Sequence, residues 1–282
     1  MSTTLEAPSG KNASGENFPV GSWLIRADLR KHIHTFYRFA RTADDIADSP
    51  SLSAAEKVRR LDRMAAIVGG DAGDDAPAAL AMRESLLATS LSPQHCLDLL
   101  IAFRQDATKL RYADWAELME YCRYSAAPVG RQVLDLHGAS RAAWPSSDAL
   151  CSALQVLNHL QDCADDYREL DRVYIPTDAL ARAGGTIEDL RADRASPALR
   201  RTIDHLLDRT DDLIVQARPL PTLAGAAGLA RETAIIVAIA EALSLRLRRQ
   251  DPLNRRVKLG RLAFARAALR GLWRAMMARL GG

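Results

Sequence analysis

Aromatic residues make up only 5% of this 282-residue chain, and runs of β-branched residues are nearly absent. Both types pack the pleated faces of sheets, so their scarcity argues against strands, while abundant Ala, Leu and Arg favour helix. The four cysteines, Cys96, Cys122, Cys151 and Cys163, form no CxxC pair. They read as ordinary buried thiols of a reducing cytoplasm rather than as metal or redox motifs. His32, His34, His137 and His159 have no zinc-like company and read as helix-face or core residues. No GxGxxG follows a strand, since Gly225-Ala226-Ala227-Gly228 is too short and too helical, which disfavours a nucleotide-dependent reduction. The most apolar stretch, Thr233 to Ala242, is interrupted by Glu241 and then Arg246, short of the roughly 20 residues of a membrane span. The opening MSTTLEAPSGKNASGEN has no apolar core of a secretory signal, so a cytoplasmic chain is expected.

What is present is helix-forming and ample. Hydrophobic residues reach 48%, enough for a sizeable core, and no linker rich in Pro, Gly and Ser divides the chain. The expectation is one all-α domain over residues 16–282, preceded by a disordered segment at 1–15. Helical pattern runs from Asp28 through Ala47 and stops at Ser49-Pro50. Ser53 with Glu56 reads as a capping box starting the next helix, and Gly69 to Pro77 as a surface loop. Ser92-Pro93 opens a helix through Arg104, and another is expected from Tyr112 to Tyr124. Pro128-Val129-Gly130 interrupts a pattern that resumes through His137. Ser146 or Ser147 starts a long helix to about Arg168, and Arg172 to Pro176 reads as an extended connector. Three more helices are expected over 197–217, 222–248 and 257–280.

A net charge of +3 hides an asymmetry. Eleven basic residues lie from Arg246 to the end beside a single acid, Asp251, so acids outnumber bases in the rest of the chain. The same tail carries Leu262, Phe264, Leu269, Leu272, Trp273, Met276 and Met277. Such a basic amphipathic helix either lies peripherally on an anionic membrane surface or closes the bundle with a solvated outer face. No stacking-aromatic pattern accompanies the charge, so nucleic acid is not an expected partner.

Two acidic clusters more than a hundred residues apart carry the chemistry: Asp44-Asp45-Ile46-Ala47-Asp48 and Asn158 through Asp166. Asp44 and Asp48, and then Asn158, Asp162 and Asp166, recur every fourth residue and so share one helix face. Like charges stacked this way repel by roughly 0.2–0.5 kcal/mol when exposed, and more when buried. Divalent cations relieve that repulsion, and hard oxygen ligands select Mg²⁺, which binds few carboxylates together with substrate phosphates. Two such faces opposed across a cavity describe a diphosphate site. Asp211-Asp212 has no carboxylate partner one turn away and reads as a solvated face.

In order along the chain stand Phe36-Tyr37-Arg38-Phe39-Ala40-Arg41-Thr42-Ala43-Asp44-Asp45-Ile46-Ala47-Asp48, Tyr121 to Gly130, Asn158-x₃-Asp162-x₃-Asp166 and Arg172-Val173-Tyr174-Ile175-Pro176. Together they resemble the squalene/phytoene synthase family from Glu16 to about Gln250. Glu16-Asn17-Phe18-Pro19-Val20 and Ser125 to Gly130 resemble its bacterial hopanoid branch most. Where many members have glycine, this chain has Ala127 or Pro128. The resemblance implies an isoprenoid synthase-like helical bundle around a central cavity. It also implies ionisation of presqualene diphosphate and capture of the cation by water, giving hydroxysqualene and diphosphate. A partner presqualene diphosphate synthase would supply the substrate, and NADPH is not expected. The alternatives are head-to-head prenyl transfer from farnesyl or geranylgeranyl diphosphate and a non-catalytic assembly partner. By resemblance, Asp44, Asp48, Asn158, Asp162 and Asp166 hold two or three Mg²⁺ ions, and Asp45 and Asp165 are outer carboxylates. Tyr37 joins the catalytic aspartates, while Phe18, Arg41, Tyr121, Gln155, Arg172 and Tyr174 are assigned to substrate.

Overall fold

The structure, a computed structural model, describes Leu5 and residues 24–280, with side chains through Met277. Phe18 and the segment expected to be disordered, apart from Leu5, lie outside the described residues. Among the described residues there are twelve α-helices and no strand; a single isolated bridge joins Arg111 and Val173.

The helices are α1 (Ala27–Asp48), α2 (Ala54–Gly69), α3 (Pro77–Thr89), α4 (Gln94–Thr108), α5 (Trp115–Ser125) and α6 (Ala127–Leu136), followed by α7 (Trp144–Leu170), α8 (Thr177–Arg182), α9 (Pro197–Ala217), α10 (Leu220–Leu223), α11 (Ala227–Arg249) and α12 (Arg261–Leu280). Local chemistry sets many of these ends. The Ser53 hydroxyl accepts from the Glu56 N–H and starts α2, while the Glu56 carboxylate turns to Arg59 and Arg60 instead of completing a capping box. Ser196 caps α9 through the Leu199 N–H.

Several expected boundaries move: α4 runs on to Thr108 and the last helix starts at Arg261 rather than 257, and three further differences have local causes. The helix expected from Tyr112 begins at Trp115, because Asp114 caps it through the Glu117 N–H and leaves Tyr112 fully buried in the connector. Pro128 does not break a helix from within. The break falls at Ala126, and Pro128 sits in the first turn of α6, where its missing N–H costs nothing. The helix expected over 222–248 is two, separated at Gly225, whose φ of +73° is a conformation that suits glycine.

One core joins α4–α7, α9 and α11 around Leu157, Leu160, Leu206 and Leu243, and a second joins α1–α4 around Phe39, Met64 and Leu99. α12 lies along α11. Between α1, α4–α7 and α11 the chain encloses a cavity of about 770 Å³.

Candidate active site

The cavity has two ends, and the sequences of α1 and α7 create them in the same order. Along α1 the lining runs from Ile33 and Phe36 through Tyr37 and Arg41 to Asp44 and Asp48. Along α7 it runs from Leu150 and Leu154 through Gln155 and Asn158 to Asp162 and Asp166. Each stripe keeps the three- and four-residue spacing of one helix face. Ile33 to Asp48 is about 22 Å at the α-helical rise, so along these two helices the apolar floor and the carboxylate mouth are well separated, while α11 adds the buried Glu232 and Thr233 to the lining. Every described residue singled out as catalytic, metal-binding or substrate-binding lines this one space: Tyr37, Arg41, Asp44, Asp48, Tyr121, Gln155, Asn158, Asp162, Asp166, Arg172 and Tyr174. Of the two outer carboxylates, Asp45 is buried against Arg41 and Asp165 is exposed.

Guanidinium groups answer the carboxylates at the mouth. Arg41 Nη1 lies 2.7 Å from Asp44, and its Nη2 lies 2.8 Å from Asp45. Arg172 Nη1 donates to Asp48 at 2.9 Å. Arg256, which the sequence reading did not single out, takes Asp162 in a bidentate pair at 2.5 and 2.7 Å. Asp166 makes no ion pair among the described residues. Burial and the neighbouring charge of Asp162 push its pKa up to about 8. Burial also raises Asp162, although Arg256 opposes the shift.

Arg172 is placed by the chain termination just before it. Asp171 ends α7 in the left-handed region at φ +50°, and the Arg172 N–H then returns to the Asp166 carbonyl. The Val173 N–H bonds the Leu110 carbonyl and draws the connector against the segment between α4 and α5. There Arg172 Nη2 donates to the Asp106 backbone oxygen at 2.8 Å. The Asp106 carboxylate accepts from Tyr174 at 2.7 Å and from Tyr121 at 2.9 Å. Burial raises Asp106 to about 6, against the pull of Arg172 and the two hydroxyls. Tyr121 and Tyr174 thus hold a buried carboxylate and line the cavity at once.

His159 was expected to be a helix-face or core residue. It is buried in the cavity wall, stacked on Tyr174 with ring centroids 3.5 Å apart. Burial lowers its pKa to about 3, so the ring is neutral. Asp106 was also missed. Its signal was a carboxylate on the apolar stripe Leu99, Ala102, Asp106 of α4, where a solvated acid does not belong. Asp211 is not merely a solvated face, since it accepts from Ser244 and Arg248.

A cation fits the mouth on the chemistry of its donors: a carboxylate whose pKa is raised to about 8 stands beside others spaced one turn apart. Among the described residues no three acidic, His or Cys side chains converge to cage an ion by themselves.

The squalene/phytoene synthase family model matches residues 11–263. Hydroxysqualene synthase of Rhodopseudomonas palustris is 46% identical over 95% of this chain and 91% of its own length. That of Zymomonas mobilis is 43% identical over 92% and 90%. The crystal structure of squalene synthase HpnC from Alicyclobacillus acidocaldarius, 35% identical, superposes with a TM-score of 0.72 over 82% of this chain and 87% of that one. A dehydrosqualene synthase 20% identical shares the fold, with a TM-score of 0.79 over 93% and 92%. With its two-ended cavity and its aspartate-bearing helices, the chain belongs to the squalene/phytoene synthase family, enzymes that act on prenyl diphosphates.

Proposed function

We propose that this chain converts presqualene diphosphate and water into hydroxysqualene and diphosphate. The observation that carries the reading is the polarity gradient of the cavity, on a chain 43–46% identical to hydroxysqualene synthases. A lyase-type heterolysis breaks the carbon–oxygen bond to the diphosphate, and the bonding pair leaves with it. The cyclopropylcarbinyl cation then rearranges and a carbon–carbon bond of its three-membered ring opens, after which water oxygen bonds the open-chain cation and gives up a proton. No electrons are exchanged, so NADPH has no part in the balance.

Asp44, Asp48, Asn158, Asp162 and Asp166 are the residues that would hold Mg²⁺. Bound there, the ions would neutralise charge on the leaving diphosphate. Arg41, Arg172 and Arg256 stand at the same mouth as hydrogen-bond donors for phosphate oxygens. Tyr37 and Tyr121 line the cavity, where an aromatic face turned to a cation attracts it by about 0.5–2 kcal/mol, while the Tyr174 ring is stacked between His159 and Tyr112. Gln155 lies between mouth and floor, where a polar group can orient water. Ile33, Phe36, Leu150 and Leu154 surround the hydrocarbon and keep other water out.

The test is incubation of purified protein and Mg²⁺ with presqualene diphosphate or with farnesyl diphosphate, with and without NADPH, in ¹⁸O-water. Presqualene diphosphate should be consumed without NADPH, and the alcohol should carry ¹⁸O. Condensation of farnesyl diphosphate by this protein alone would favour head-to-head prenyl transfer, and inertness toward both would favour a non-catalytic assembly role.

A further inference from the structure

α12 carries apolar side chains on two opposite faces. On the inner face Ala267, Gly271 and Ala275 are buried against α11. A Cβ on Gly271 would stand 2.5 Å from the Ala234 carbonyl oxygen, so the two helices meet at backbone distance. On the outer face Leu262, Leu269, Trp273 and Met276 follow one helical stripe and are 76%, 66%, 59% and 53% exposed. Of the two readings open for this helix, a solvated outer face accounts least well for large apolar groups that point outward along this stripe. Isolated exposed hydrophobics are ordinary, but a contiguous stripe marks an interaction surface.

Charge selects the occupant. α12 contains no acidic residue. Arg266 lies within the stripe, Arg261 stands beside it, and Arg255 and Lys258 precede it, all exposed. Arg270 and Arg274 turn away from the stripe to Glu241 of α11 at 2.6 and 2.8 Å. A second copy docked through the same stripe would set these arginines against their like with no acid on either α12. A layer that is anionic at its surface and apolar just beneath satisfies both the charge and the stripe. Among the described residues no helix is long and apolar enough to cross a membrane, so the contact is peripheral.

We propose that the outer face of α12 lies on an anionic phospholipid surface, with Leu262, Leu269, Trp273 and Met276 entering the boundary between headgroups and acyl chains. Arg261 and Arg266 then face lipid phosphates, and Trp273 occupies the interfacial level that its ring favours. This does not depend on which reaction the cavity performs.

The test uses the full chain and sedimentation with vesicles of phosphatidylcholine alone or of phosphatidylcholine mixed with phosphatidylglycerol. The protein should sediment with the phosphatidylglycerol vesicles, and raising salt to about 0.5 M should release most of it as the Debye length shrinks. Combined Leu269→Gln, Trp273→Gln and Met276→Gln should lower partitioning by about 100-fold with an unchanged melting temperature, because all three side chains are exposed. If the triple variant melts early, quenching by brominated lipids gives the decision instead: it should occur in the unaltered chain and be lost in Trp273→Phe. Equal binding to both vesicle types, binding to neither, or unchanged partitioning of a folded triple variant would overturn the proposal. So would self-association of the unaltered chain without lipid that the triple variant abolishes.

Discussion

Replacing Asp166 by Asn should make the ligand-free protein more stable while abolishing its turnover. The Asp166 pKa is raised to about 8 in the fold, against an ordinary value of 3.8, by burial and by the charge of Asp162. Because the folded value is the higher one, this group contributes its stability below pH 3.8 and loses it as pH climbs to about 8. At pH 7 folding must therefore take up a proton against a gap of about three pH units, a cost of about 4 kcal/mol at 1.36 kcal/mol per unit. Relaxation and water at the cavity mouth lower the net figure, so about 2–4 kcal/mol is expected. Asparagine keeps the shape and has no proton to acquire. At about 2–4 °C per kcal/mol for a chain of this size, Asp166→Asn should melt some 5–10 °C higher in EDTA at pH 7. The gap should narrow at pH 5, where the unaltered carboxyl has less to take up. Calorimetry in EDTA measures this, and a parallel series with Mg²⁺ and pyrophosphate should stabilise the unaltered chain more than the variant. A variant that melts lower than the parent in EDTA at pH 7 would refute the reasoning, because Asp166 would then be stabilised by contacts of its own.

Tyr174→Phe removes one of the two hydroxyls on the Asp106 carboxylate and a neighbour of Arg172. It should destabilise the fold by about 1–3 kcal/mol in urea titrations, and the double change with Tyr121→Phe should cost more than the sum, since the last donor is then lost. Gly130→Ala puts a methyl 2.2 Å from the Ser147 hydroxyl oxygen and 2.7 Å from the Cys151 sulfur, so both side chains must shift within the cavity wall. Overpacking of this kind costs about 1–3 kcal/mol, and turnover of prenyl diphosphate should fall further than stability does when both are measured.

Much of this architecture was legible because its signals are local. The face of α1 that reaches the cavity follows from spacing alone, and its end follows from Ser49-Pro50. The first residue of α9 was readable from Ser196-Pro197, a cap followed by a first-turn proline. The start of α5 was misread because Tyr112 fits a helical pattern that Asp114 in fact begins, and aromatic periodicity cannot tell a core-filling connector from a first turn. Arg256 could not be found at all. Its contact with Asp162 spans 94 residues and depends on where the chain after α11 lies. Gln161 donates to the Val257 carbonyl and fixes that segment beside α7, a tertiary event with no signature in the spacing of either stretch.

The charge inventory of the mouth explains why such a site calls for added cations. Arg41 answers Asp44 and Asp45, Arg172 answers Asp48, Arg256 answers Asp162, and a proton answers Asp166. The carboxylates and guanidiniums are already matched with one another. A diphosphate brings several further negative charges into this low-dielectric space, where unpaired charge is costly. Each of the three arginines already commits part of its five-donor guanidinium to an aspartate, and those aspartates would repel the diphosphate. Asp44, Asp48, Asp162 and Asp166 would hold divalent cations that offset this repulsion, leaving more of the guanidinium donors of Arg41, Arg172 and Arg256 for phosphate oxygens. Cation and diphosphate would then bind more tightly together than either does alone, and the raised pKa of Asp166 reflects the burial and crowding of carboxylates at the same mouth.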